Sequence, residues 1–269
     1  MCTIGVLRFS DGSYALFKNK DFGRPAFDDQ IALEPSVFGV SGLATWAGSD
    51  PSTDEFSGFS IGANAHGLLC CDANVRTIPG YANYDDLVEI ALRASSDFVE
   101  AVEAVADAVA RRPYHWGNLV VIDGDLAGAI EIRGDRIEVV VNDVPTVRTN
   151  HHVALGATED DDNTTTSQLR LSAARSSIGA VKSVDDLHSL MSAHDDGSTG
   201  VCAHGAHQTV YSYVLHHDRR ETVLSVVQGL PCENTAPTVL TVPVGDSWSS
   251  DAAEDFREAY PSAKPALPR

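Results

Sequence analysis

A cysteine follows the first methionine, in the run Met1-Cys2-Thr3-Ile4-Gly5-Val6. A small second side chain favours methionine removal, so the mature chain is expected to begin at Cys2, with Met1 alone removed. One residue then carries both a thiol and a free α-amine. The thiol is a nucleophile, and the amine, with a reference pKa of about 7.7–8.0, is a base of suitable strength to activate it. Such a pair attacks an amide or thioester carbonyl; the amine takes the thiol proton and returns it to the leaving group. A second group able to do chemistry is Cys202-Ala203-His204-Gly205-Ala206-His207, which with His151-His152 and His194 offers ligands for zinc. Paired C-x-x-C spacings, the strong zinc signal, are missing, so no metal ligand is assigned. A non-catalytic or zinc-binding protein built on residues 194–207 is the alternative reading. There is no glycine-rich phosphate loop and no G-x-S-x-G elbow, and no cofactor is expected.

The 269 residues carry a net charge of −19, and lysine occurs only at 18, 20, 182 and 264. This acidic, lysine-poor balance resembles proteins of salt-loving organisms, in which carboxylates hold hydration and salt screens their repulsion. Nucleic acid and anionic membrane are poor partners for such a surface. No apolar run approaches the roughly 20 residues of a membrane span, and no basic-then-apolar leader precedes Cys2. A cytoplasmic protein acting on a small molecule is the expectation. The five cysteines (2, 70, 71, 202 and 232) are odd in number and include a vicinal pair, which is no disulfide framework. Cys70, Cys71 and Cys232 read as small core hydrophobes.

The elements that must position Cys2 follow from periodicity and turn chemistry. Residues 2–8 and 13–19 are apolar runs joined by Asp11-Gly12, a hairpin signal. Residues 23–56 read as a loop. Strands are predicted at 58–63 and 67–72, then helices at 84–94 and 97–112, the second with Ser95-Ser96 available to cap it. Strands follow at 118–122, 127–132, 136–141 and 147–150. Residues 159–162 form an acidic loop. Helices at 165–181 and 184–194 come next, the second capped by Ser183 with Asp186 three residues on. A hairpin at 208–216 and 222–228 and a strand at 239–242 complete the order. No linker divides the chain, which fits one α+β domain over 2–245, with 246–269 a polar, partly frayed tail containing a short helix at 251–260.

A terminal nucleophile on the first strand of an α+β domain resembles the N-terminal nucleophile (Ntn) hydrolases. Phe17-Lys18-Asn19-Lys20-Asp21 is similar to the "RN-x-D" segment of the choloylglycine hydrolase and penicillin V acylase family, with Lys18 in place of arginine. Asn64-Ala65-His66-Gly67-Leu68, followed by Asp72-Ala73-Asn74, is similar to that family's "N-E-x-G-L" segment and the asparagine six residues on, with Ala65 in place of the glutamate. Thr149-Asn150-His151-His152 resembles the "T-N" or "N-H" strand end of those families and of the acyl-CoA:6-aminopenicillanic acid acyltransferase group (peptidase family C45). Ser167-Gln168-Leu169-Arg170, His194-Asp195 with Val201-Cys202-Ala203-His204, Thr209-Val210-Tyr211-Ser212 and Gln228-Gly229-Leu230-Pro231-Cys232 resemble segments of the acyltransferase group.

The resemblance implies a four-layer αββα sandwich of two antiparallel sheets between helical layers, and a cysteine hydrolase of linear carbon–nitrogen amide bonds, with acyl transfer where an amine replaces water. It implies that Cys2 attacks and Asp21 holds the ammonium form of the amine. The amides of Asn74 and Asn150 would line the oxyanion hole, where one donor is typically worth about 10²–10³ in rate. Lys18 and Arg170 would be basic groups of the same site, Arg170 steadying Asp21 or a substrate carboxylate. Dimers and tetramers are common among the proteins it resembles.

Overall fold

A computed structural model describes residues 1–23, 28–43, 56–142, 144–156, 164–194 and 200–261. The first hairpin joins β1 (Cys2–Arg8) to β2 (Tyr14–Phe22), pairing Cys2 with Lys20 and Ile4 with Lys18. Its turn relies on Gly12 at φ 87° and on Asp11, whose carboxylate accepts from the Ser13 backbone and hydroxyl. Four strands follow: β3 (Ile31–Glu34), β4 (Val37–Leu43), β5 (Phe56–Asn64) and β6 (Leu69–Arg76). Helices α1 (Asp85–Ala94) and α2 (Phe98–Arg111) lead to β7 (Tyr114–Ile122), β8 (Ala127–Gly134), β9 (Arg136–Val141) and β10 (Thr146–Arg148). Helices α3 (Thr164–Ile178) and α4 (Val184–Ser192) precede β11 (Gln208–His217), β12 (Thr222–Gln228) and β13 (Thr238–Thr241), and α5 (Ser250–Ala259) ends the described fold.

All strand pairings within the two sheets are antiparallel. One sheet has the order β10-β1-β2-β11-β12-β13, the other β3-β4-β5-β6-β7-β8-β9. Three apolar layers hold them. Ile4, Val6 and Leu16 meet Ile61, Cys71 and Val120 between the sheets. Leu87, Val88, Ala101 and Val105 cover the outer face of the larger sheet, and Leu171, Ala174, Leu187 and Met191 cover Ala15, Phe17 and Val214 of the smaller. Period-two alternation makes this possible: Cys2, Ile4 and Val6 face one layer while Leu7 faces the other. The result is the αββα sandwich.

Four expectations change. The loop expected over 23–56 contains β3 and β4; the Gly39 and Gly42 positions that break the strand pattern are where other groups press on the backbone, since a Cβ at Gly39 would lie 2.4 Å from the Phe59 ring. Asp97, not Ser95-Ser96, caps α2: its side chain accepts from the Glu100 N–H, and Glu100 reciprocates to Ser96 N. The short helix expected at 251–260 is α5, and it packs on the fold instead of standing off it, because it buries Ala253 and Phe256, the latter 5.3 Å edge-to-face from Phe38. Cys232 is half-buried and outside the core, whereas Cys70 and Cys71 are fully buried in it. The acidic stretch 159–162, Asp195 and the end of the chain from residue 262 lie outside the described residues. No helix is long and apolar enough to cross a membrane among the described residues.

Candidate active site

The start of β1 meets the end of β2, the segment after β10 and the first turns of α3. The Cys2 nitrogen donates to Asn150 Oδ1 at 2.7 Å. Arg170 Nη2 donates to the same oxygen at 2.7 Å, and Arg170 Nη1 reaches the Cys2 carbonyl at 2.6 Å and Thr3 Oγ1 at 3.1 Å. Arg170 Nη1 also lies 3.9 Å from Asp21 Oδ2, while Asp21 Oδ1 accepts from Thr209 Oγ1 at 2.8 Å. Met1 continues the β1–β2 ladder: its amine donates to the Asp21 carbonyl at 3.0 Å and its carbonyl accepts from Asp21 N at 2.8 Å. The amine that removal of Met1 would create is therefore the very nitrogen that Asn150 already holds.

Burial raises the Asp21 pKa, opposed by the Arg170 guanidinium and the nearby terminal ammonium. Burial likewise lowers that of Arg170, opposed by Asp21 and the Cys2 thiol. The pair is wholly enclosed, so each charge depends on the other.

Asn150 is held from both sides. Its backbone N–H donates to Ser167 Oγ at 2.8 Å, and Thr149 Oγ1 donates to the Ser167 carbonyl at 2.9 Å. Asn118 on β7 gives its amide nitrogen to the carbonyls of Thr149 and His151, at 2.8 and 2.9 Å. The strand end is thus pinned between α3 and the opposite sheet.

Lys18 lies one rung from this group, opposite Ile4, and points into a separate buried network. Its Nζ donates to the Ser60 carbonyl at 3.0 Å, to Ser60 Oγ at 2.6 Å and to Asp72 Oδ1 at 3.1 Å. Burial opposes the lysine charge, but Asp72, followed by the Cys2 thiol, more than offsets it, and the Lys18 pKa rises. Asp72 is in turn paired with Asp85; burial and then the Asp72 charge push the Asp85 carboxyl well above the carboxylate range. Glycine makes room for it: a Cβ at Gly42 would lie 1.9 Å from Asp85 Oδ2, and one at Gly58, at φ 59°, would lie 2.2 Å from the Asp85 backbone. Lys18 Nζ, a compact –NH₃⁺, meets its three oxygens from one buried point.

The two asparagines do not form the expected pair of amide donors. Two donors claim Asn150 Oδ1, which fixes the amide orientation and turns Nδ2 away, onto the Asn74 carbonyl at 2.6 Å. Asn74 meets Asn150 through its backbone; its side-chain nitrogen donates to Thr77 Oγ1 at 3.4 Å, and its side chain also meets the buried Tyr84. Cys2, Asp21, Asn150 and Arg170 are thus brought together, Asn74 adjoins them by its carbonyl, and Lys18 stands behind. Sequence reasoning quoted Asp72, Thr209 and Ser167 in its motifs without giving them a role, and missed Asp85, Ser60 and Asn118. The signal for Asp72 was a carboxylate inside the otherwise apolar Leu69-Cys70-Cys71-Asp72-Ala73 strand, matched by a lysine inside β2.

No family model matches the chain, and no curated protein sequence matches it. Solved structures do. A variant of conjugated bile acid hydrolase from Clostridium perfringens superposes with a TM-score of 0.50 at 14% identity, over 84% of this chain and 92% of that one. A Caenorhabditis elegans N-acylethanolamine-hydrolyzing acid amidase ortholog gives 0.50 at 15% identity, over 80% and 92%. The chain has the Ntn-hydrolase fold. Penicillin V acylase from Agrobacterium tumefaciens is also similar, with a TM-score of 0.49 at 13% identity over 89% of this chain and 85% of that one. In this Ntn-hydrolase sandwich, the first strand of the smaller sheet carries Cys2 at its very start.

Proposed function

We propose that this protein is an N-terminal cysteine hydrolase of amide bonds, active once Met1 has been removed. The observation that carries the proposal is the double claim on Asn150 Oδ1 by the Cys2 nitrogen and Arg170, beside the enclosed Asp21. Freed as an amine, that nitrogen stays anchored next to its own thiol. The thiol gives its proton to the amine and the sulfur attacks the carbonyl carbon; the ammonium then protonates the departing nitrogen. Water, deprotonated by the same amine, cleaves the thioester and restores the thiol. An amine in place of water gives acyl transfer. Asp21 and Arg170, an enclosed pair of opposite charge, flank the amine. The fold neighbours named as a bile acid hydrolase and an N-acylethanolamine-hydrolyzing amidase support an acyl amide as substrate.

The test is a panel of N-acyl amides assayed at high salt, with intact mass before and after substrate. Mature protein lacking Met1, gaining one acyl group that Cys2→Ala does not gain, is the expected result. Full activity in a chain that retains Met1 would sink the amine-as-base mechanism.

A further inference from the structure

Cys202, His204 and Cys232 meet at one point, with His194 beside His204 and Cys232, from three separate stretches of chain. Cys202 and His204 stand on the segment entering β11, Cys232 follows the turn after β12, and His194 lies just beyond α4. Cys202 Sγ is 3.5 Å from Cys232 Sγ and 3.6 Å from His204 Nε2, and Cys232 Sγ is 3.2 Å from His204 Nε2. Ligand atoms of His194, His204 and Cys232 all lie within 4.8 Å of one another. A tetrahedral zinc ion with sulfur at about 2.3 Å and nitrogen at about 2.0–2.1 Å separates its ligand atoms by roughly 3.3–3.8 Å. The three edges among Cys202, Cys232 and His204, at 3.2–3.6 Å, lie close to that spacing, and His194 stands within 4.8 Å of His204 and Cys232.

The backbone around the four ligands is already fixed. Cys202 N donates to the Ala193 carbonyl at 2.9 Å, and Asn19 Nδ2 bridges the Met191 and Val201 carbonyls, both at 2.9 Å. Ser192 Oγ donates to the Pro231 carbonyl at 3.0 Å. The three stretches are thus held in register by bonds that do not involve the ligand atoms.

We infer that Cys202, Cys232, His194 and His204 form a closed Cys₂His₂ site for zinc. Two thiols and two imidazoles are the donor set of a borderline-soft cation, and the four protein ligands leave no open position for water, so the site is structural. Binding displaces both thiol protons to solvent; no electron moves. The site lies one contact from the candidate active site: Ala203 N donates to Thr209 Oγ1 at 3.0 Å, and that hydroxyl holds Asp21. Zinc staples the loop that positions Thr209.

The inference stands apart from the hydrolase reading, and the Cys2→Ala protein tests it as well as the wild type does. Purified under reducing conditions and dialysed into metal-free buffer, both are expected to hold one zinc per chain. Chelator should remove it and lower Tm, and cobalt should restore a tetrahedral spectrum with a thiolate charge-transfer band. Cys232→Ser should reduce that band by about half, and His194→Ala should weaken cobalt affinity. Protein that takes up neither metal, an octahedral cobalt spectrum, or a band unchanged in Cys232→Ser would each overturn the site. So would a Cys202–Cys232 disulfide in the protein as isolated, seen as a mass lighter by two hydrogens under non-reducing conditions.

Discussion

The Cys2 nitrogen and the Asn150 side-chain oxygen meet at 2.7 Å across 148 residues of chain. The same oxygen receives Arg170, so removing it leaves two buried donors without an acceptor. We expect Asn150→Ala to lower kcat, because the amine loses the acceptor that positions it, and a misplacement of about 1 Å can cost roughly 10²-fold. Asn150→Asp should keep the contact but add a negative charge beside the amine, raising its pKa and moving the acid limb of the rate profile to higher pH. Steady-state kinetics across pH check both.

Arg170 is fully enclosed and serves Cys2, Thr3, Asn150 and Asp21 at once. Arg170→Met should cost about 3–5 kcal/mol of stability, because Asp21 is left as an uncompensated buried charge. Arg170→Lys, which keeps the charge but not the fork, should fall between that variant and the wild type. Urea unfolding at constant pH measures the difference.

Lys18 makes the corresponding test in the neighbouring network. Lys18→Met strands Asp72 and should cost about 3–5 kcal/mol. Lys18→Arg retains the charge but pushes a larger group against Ser60, and should cost about 1–3 kcal/mol. Equal stability of Lys18→Arg and wild type in chemical denaturation would contradict the compact geometry described here.

Asp85 predicts a pH dependence of known sign. Its folded pKa is raised, first by burial and then by Asp72, so the folded chain keeps a proton that the unfolded chain releases near pH 4. Stability therefore falls as pH rises from about 4 through the raised folded value. Asp85→Asn, which keeps the shape without a titrating proton, should remove part of that fall. Thermal unfolding of both proteins over an acid-to-alkaline series checks it.

The net charge of −19 gives a simpler test. Repulsion among exposed carboxylates is screened within a Debye length of about 3 Å at 1 M salt. Tm should climb as potassium chloride is raised from millimolar to molar. A flat Tm would reject the halophilic reading.

Local chemistry made much of the fold legible. The Asp11-Gly12 turn and the alternation of Ile4, Val6, Phe17 and Leu16 define the hairpin carrying Cys2, and Ser183 caps α4 by accepting from Asp186 N at 3.1 Å, as its spacing implies. Strand β4 was hidden because its glycines, Gly39 and Gly42, serve contacts from Phe59 and Asp85, which no local pattern encodes, and β3 is only four residues long.

The candidate site divides in the same way. Sequence alone determined that Cys2 heads the first strand with Asp21 near the end of the second, because a short hairpin leaves little choice of register. Only the tertiary structure decided which atom of Asn150 faces Cys2, that Asn74 joins through its carbonyl, that Lys18 pairs with Asp72, and that Cys232 meets Cys202 and His204. Those relationships join residues far apart in the chain. They depend on where two sheets and their helical layers come to rest, and on which buried donors compete for each acceptor there.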